Sequence, residues 1–312
     1  MSGDYVVVTN CTARKRAGAP LVRFDPKPSA AALSEIVEEW RSALRSQPVR
    51  LPAKELYVGR SISEAKCVAQ QLRCSLFVVS AGLGLVEEDE MVPGYDLSAA
   101  GATSGLTPVL ARHGASVGEW WNTLTDGRGL RWLLQRASGA VVLLALPTDY
   151  LRLVKGELQE MQPGEISRLR VLTSEAGRRE LATLPALPVM PYDDRLESIP
   201  GLAGTRSDFP QRALRHFTER LEAHRLPADV ATREVLLALA RCEHRVLPQR
   251  ARLNDEEICG LIRSGWPTFG GNSARLLRHL RDDHKVACEQ GRFAALRRRV
   301  QQELVESSAA SG

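Results

Sequence analysis

The chain has 312 residues, 44% of them apolar, enough for a sizeable core and for two domains. The longest apolar run, VVLLALP at 141–147, is far too short to span a bilayer, and MSGDYVVVTN lacks the basic region and apolar length of a signal peptide. A membrane protein is excluded on these patterns, and a soluble cytoplasmic protein with reduced thiols is expected.

The formal charge is +5 and it is uneven. Residues 210–312 carry 18 Lys+Arg against 13 Asp+Glu, so the whole excess lies in the last third, where Lys285 is the only lysine. Arginine pairs bidentately with phosphates and guanine edges, which favours a DNA partner; a solvated helical surface accounts for the charge equally well. Cys11, Cys67, Cys74, Cys242, Cys259 and Cys288 form no Cys-x-x-Cys pair, and no His cluster accompanies them. No metal and no organic cofactor is expected.

In chain order, Tyr5–Thr9 reads as a buried strand, because its valine run does not alternate with polar residues. Asn10, Cys11 and Thr12 end it. Ser29 is the expected cap of a helix with apolar residues at Leu33, Ile36, Val37, Trp40 and Leu44, which Pro48 and Pro52 terminate. Ser61–Leu72 reads as a helix with Ser61 and Glu64 as a capping box. Strands follow at Ser75–Ser80, Ala140–Leu146 and Leu169–Thr173, with helical segments at Ser116–Leu124, Gly129–Ala137 and from Pro147 onward. The fold class this predicts is α/β, a mostly parallel sheet with flanking helices, in which ligands bind at the carboxyl ends of the strands. Those ends are Thr9-Asn10-Cys11, Ser80-Ala81-Gly82, Pro147-Thr148-Asp149-Tyr150 and Thr173-Ser174-Glu175.

Residues 185–210 are rich in Pro and Gly and read as a linker, although they contain YDDRL and GTRSDF. Beyond 210 the pattern is helical: Asp229–Arg241, then a helix capped by Asn254 and ended by Gly265, then one capped by Ser273. The domain boundary is therefore expected at 209/210. The C-terminal part is a helix-turn-helix or winged-helix candidate, with Arg275, Arg278, His279 and Arg281 as DNA-reading or phosphate-binding residues. A small helical bundle remains the alternative.

The stretch SAGLGLVEEDEMVPGYDLS, residues 80–98, resembles the signature of the YaaA-like family and its bacterial relatives: Ser-Ala-x-Tyr-Gly-Leu-Leu, a polar run, then Pro-Tyr-Asp-x-x-Leu. Ser80, Gly84, Leu85, Pro93, Tyr95, Asp96 and Leu97 match it, as do Thr9-Asn10-Cys11-Thr12-Ala13-Arg14-Lys15 at the first strand end and Leu56-Tyr57 further on. Leu83 stands where the pattern has tyrosine, and Gly94 is an insertion. The likeness covers about the first 150 residues, in short islands. It implies DNA binding, a role in damage protection or antiphage defence, and a fold related to base-processing enzymes, including DNA glycosylases.

Such an enzyme flips a nucleotide and breaks its N-glycosidic bond. Asp96, Asn10 and Asp149 are the candidate catalytic residues, as a carboxylate, a water-orienting amide and a second carboxylate. Tyr95 and Tyr150 supply rings, Lys15 and Arg14 a phosphate contact, and Gly82 and Gly84 close backbone approach. Cys11, Tyr57 and Ser80 complete the candidate substrate-binding set. Each also has an ordinary reading: Asp96 as a turn residue, Tyr95 as core, Asp149 as a helix-start residue, Cys11 as a packing residue. Two other functions stay open, a non-catalytic DNA-binding protection protein and a nucleoside-processing enzyme.

Overall fold

The valine-rich segment Tyr5–Asn10 forms β1, the central strand of a five-stranded sheet. Two helices, α1 (Leu33–Ser46) and α2 (Arg60–Leu72), lead to β2 (Ser75–Ser80). Then come β3 (Gly84–Glu87), α3 (Val117–Thr125), β4 (Val141–Ala145), α4 (Thr148–Gln159) and β5 (Leu169–Leu172). The computed structural model describes residues 3–26, 32–99, 105–244 and 250–309.

The strand order is β3-β2-β1-β4-β5. β1 runs parallel to β2, with Val6 opposite Ser75, and parallel to β4, with Tyr5 opposite Val141. β4 and β5 are parallel as well, with Val142 opposite Leu169. Consecutive side chains Val6, Val7 and Val8 are all buried, so both faces of β1 are covered, as expected for a parallel sheet. β3, which the sequence reading did not contain, is an antiparallel edge strand. It exists because the chain folds straight back at Ala81-Gly82-Leu83, and Gly84 takes up the turn with φ +78°.

From β1 the chain moves outward to β2, then crosses to the other side of β1 for β4. The strand order therefore reverses beside β1, and the crevice at the carboxyl ends of β1 and β4 is the topological switch point of the sheet.

Several local expectations change. Ser29 lies outside the described residues, and α1 begins at Leu33 after Ala32. Ser61 is not a cap: α2 starts one residue earlier, after Gly59 at φ +123°, and Glu64 instead bonds Arg60 (3.1 Å) and Arg215 (3.3 Å). Gly265 does not end its helix. That helix runs Asp255–Phe269 through Pro267 and stops at Gly270 in the left-handed conformation.

The chain forms two compact units, Met1–Arg245 and Val246–Gly312, rather than dividing at 209/210. The reason is α5 (Phe209–Arg215), whose residues Phe209 to Leu214 are all buried in the first unit. The Pro/Gly-rich segment before it is not a spacer: it makes short 3₁₀ turns at Asp194–Ser198 and Arg206–Asp208. Arg212 ties them together. Its side chain is 0% exposed and pairs with Asp208 (2.7 Å) and Glu197 (2.8 Å), and it donates to the carbonyls of Leu202 and Thr205. α6 (Ala228–Ala240) closes this unit.

The second unit is helical, with α7 (Asp255–Phe269), α8 (Ser273–Arg278) and α9 (Gln290–Ala309). Ile258, Ile262, Leu276, Leu280, Phe293 and Val300 form its own core. α8 continues into a widened turn at His279–Asp283, closed by the His284 N–H on the His279 carbonyl (3.2 Å). No helix among the described residues is long and apolar enough to cross a membrane.

Candidate functional site

Five separate stretches of chain meet at the carboxyl edge of β1 and its neighbours. Asn10, Cys11 and Lys15 come from the end of β1, Tyr57 from the turn before α2, Ser80 from the end of β2, and Tyr95 and Asp96 from the segment after β3. Tyr150 arrives in the first turn of α4. The Tyr95 hydroxyl sits between the Ser80 hydroxyl (2.6 Å) and the Tyr57 hydroxyl (3.0 Å). The Cys11 thiol meets the Tyr150 hydroxyl at 3.0 Å, and Tyr150 also bonds the Ser98 side chain. Tyr57, Tyr95, Tyr150, Cys11 and Ser80 are all buried. Burial pushes the three phenols well above their ordinary pKa, so these hydroxyls are polar but uncharged.

One charge lies among them. Lys15 is only 9% exposed, and its Nζ stands 4.4 Å from the centre of the Tyr95 ring and 5.2 Å from that of Tyr57. It donates to the Thr12 carbonyl. Such ring faces attract a cation by about 0.5–2 kcal/mol. Burial lowers the pKa of Lys15, while Cys11 and Asp96 act in the opposite direction. Among the described residues no carboxylate pairs with it. Asp96, by contrast, is exposed.

The glycines of the opening motif serve this cluster. A Cβ on Gly82 would lie 2.8 Å from the Tyr95 ring and 3.1 Å from Trp40, so only glycine lets the ring lie against the turn. Two buried indoles pin the same turn: Trp40 Nε1 donates to the Gly82 carbonyl (2.6 Å) and Trp120 Nε1 to that of Ala81 (2.8 Å). Gly94 has a similar cause, because a Cβ there would come within 2.5 Å of the Pro20 carbonyl oxygen. Val22–Arg23 pairs alongside Tyr95–Asp96 at this point. Leu83 is half-buried and packs against the core; its backbone N–H bonds the Ser80 hydroxyl (2.9 Å).

Asn10 lies at the switch point. Its Nδ2 donates to the Cys11 carbonyl (2.8 Å), and its Oδ1 accepts from Gln211 Nε2 (2.8 Å). Gln211 also bonds the Thr9 hydroxyl and the Ala145 carbonyl, both at 2.9 Å, so one amide spans the ends of β1 and β4. Its Oε1 is buried and has no partner among the described residues. Sequence reasoning did not single out Gln211. The available signal was a polar Gln-Arg pair between Phe209, Pro210, Ala213 and Leu214 on an otherwise apolar helix.

The other candidates separate from this cluster. Tyr95 is fully buried and offers no stacking surface, because its ring fills the space that Gly82 leaves. Asp149 pairs with Arg152 on its own helix (3.0 Å), and that arginine is shared with Glu180. Asp208 belongs to the Arg212 hub. Asp193, Asp194 and His244 offer three ligand atoms within 4.8 Å of one another, but Arg195 already clamps Asp193 through both carboxylate oxygens (2.7–3.1 Å). In the second unit, Arg275 and Arg278 are exposed and unpaired among the described residues. Arg281 instead holds the Cys288 carbonyl (2.7 Å), and His279 is engaged by Asp283 (2.5 Å) and His284 (3.1 Å). The sequence treated these four as one reading surface; two of them are spent on closing the turn after α8.

Compared with models of known families, with curated proteins and with solved structures, the chain finds no match.

Proposed function

We propose that the chain excises a base from DNA by hydrolysing its N-glycosidic bond. The observation that carries this reading is one exposed carboxylate, Asp96, beside a buried cluster of phenols and a thiol at the carboxyl edge of a parallel sheet. Departure of a base leaves an oxocarbenium-like sugar, and a carboxylate both stabilises that charge and places the attacking water. The likeness of residues 80–98 to the YaaA-like signature, with the base-processing fold it implies, points the same way. In this reading Tyr95, Tyr57 and Ser80 hold the backbone that presents Asp96. Asn10, held by Gln211, fixes the neighbouring end of β1. The second unit contributes DNA affinity in the manner of a helix-turn-helix or winged helix, with Arg275 and Arg278 on phosphates or base edges.

The test is an abasic-site assay on normal, uracil-containing, oxidised and hypermodified phage DNA, scored as alkali-labile breaks. Asp96→Asn is expected to lower excision by about 100-fold or more, with unchanged melting temperature because the side chain is exposed. Full excision by Asp96→Asn would sink the assignment. A second reading, non-catalytic DNA binding, is favoured by the internal engagement of Asn10 and the tyrosines. It is the outcome if no substrate is cut while duplex binding falls steeply with salt.

A further inference from the structure

The glycosylase reading of the sequence gives Lys15 a phosphate contact, a task for an exposed side chain. This one is buried, and what surrounds it is unusual for a structural ammonium. Its Nζ faces two tyrosine rings and one backbone carbonyl, without a carboxylate partner among the described residues. Buried cations that serve structure are ordinarily paired, as Arg212 is here with Asp208 and Glu197. An amine taken out of water and left without an ion partner gives up its proton more readily, and the neutral amine is a nucleophile toward carbonyl carbon. Burial moves Lys15 in that direction. The charges of Cys11 and Asp96 oppose that shift without reversing it.

We infer that Lys15 is a catalytic amine that captures the ring-opened C1′ aldehyde of an abasic deoxyribose as a Schiff base. The inference rests on the base-excision reading for the source of that aldehyde, since excision is what generates it. The neutral amine attacks C1′, forming an N–C bond while the carbonyl π electrons move to oxygen and take up a proton. The hydroxyl of the resulting carbinolamine takes up a proton from solvent and leaves as water, and a protonated imine joins Lys15 to the sugar. No oxidant or reductant is consumed. The consequence is that the fragile product of excision stays attached to the protein until water reverses the bond.

The experiment incubates the full-length protein with a duplex carrying a single preformed abasic site, made by enzymatic removal of uracil, in the presence of borohydride. Borohydride reduces the imine to a stable amine, and mass spectrometry of the digested adduct identifies the lysine. The expected result is a covalent adduct on Lys15, lost by at least tenfold in Lys15→Arg and retained in Lys54→Arg. No adduct in the wild type, or an adduct spread over other lysines, would overturn the inference, and the wild-type mapping decides this even if Lys15→Arg folds poorly. Because the abasic site is supplied, the two proposals fail separately. Excision without an adduct removes the role of Lys15 alone. An adduct on Lys15 without excision of any base removes the excision reading and leaves an abasic-site-binding amine.

Discussion

The first unit buries several basic side chains, and three of them are stabilised in different ways. Arg212 is wholly enclosed and paired, with two carboxylates and two carbonyls around its guanidinium. His216, one turn further on, bonds the Tyr192 hydroxyl through Nδ1 (2.9 Å), and burial lowers its pKa to about 4, so it is neutral at physiological pH. Lys15 has neither an ion pair nor a hydroxyl partner, only ring faces and a carbonyl. The difference separates framework from candidate chemistry. A compensated charge holds its neighbours in place and has little left to offer a ligand, whereas an uncompensated one is a cost to the fold.

Replacing Arg212 should produce the largest effect. Arg212→Met leaves Asp208 and Glu197 without their cation, and unfolding free energy from denaturant titration should fall by about 3–5 kcal/mol. A loss below about 1 kcal/mol would mean that the hub does not anchor α5. Acid comes next. The folded pKa of His216 lies below its unfolded value, so the unfolded chain binds the extra proton. Its contribution is complete above about pH 6.5 and is lost as pH falls toward 4. Melting temperature followed over that window should drop more in the wild type than in His216→Gln; parallel curves would show that His216 is not the sensor. The smallest change is expected at Lys15. Lys15→Met keeps the chain length and removes an unpaired buried charge, so stability should stay within about 1 kcal/mol of wild type or rise. A loss as large as that at Arg212 would put Lys15 in the framework and dissolve the contrast.

Part of the fold was open to inspection in the linear chain. The unalternating valines of β1 and the apolar runs at 75–80, 141–145 and 169–172 announce parallel strands because both faces of such strands are covered. The residues that gather at the strand ends, Asn10, Cys11, Ser80 and Tyr150, follow from that topology alone. Their surroundings did not follow. Whether Tyr95 stacks on a base or fills the core depends on how closely Gly82 and Trp40 approach it, and those lie far from it in sequence. The capping roles assigned to Ser61 and Gly265 failed for a related reason. Gly59 already supplies the entry into α2, and Gly265 is needed where Leu276 and His279 pack against α7.

The chain by itself determined the order of the four parallel strands and the helices between them, the turn glycines and the concentration of arginine beyond residue 210. These depend on hydrophobic period, backbone sterics and composition, which are properties of neighbours along the chain. Only the tertiary structure decided that residues 192–216 belong to the first unit, that Gln211 spans β1 and β4, that two of four candidate DNA-reading residues are spent internally, and that Lys15 is enclosed without an ion partner among the described residues. Each is settled by which distant groups satisfy a buried polar atom. That is a question of three-dimensional proximity, on which spacing along the chain places almost no constraint.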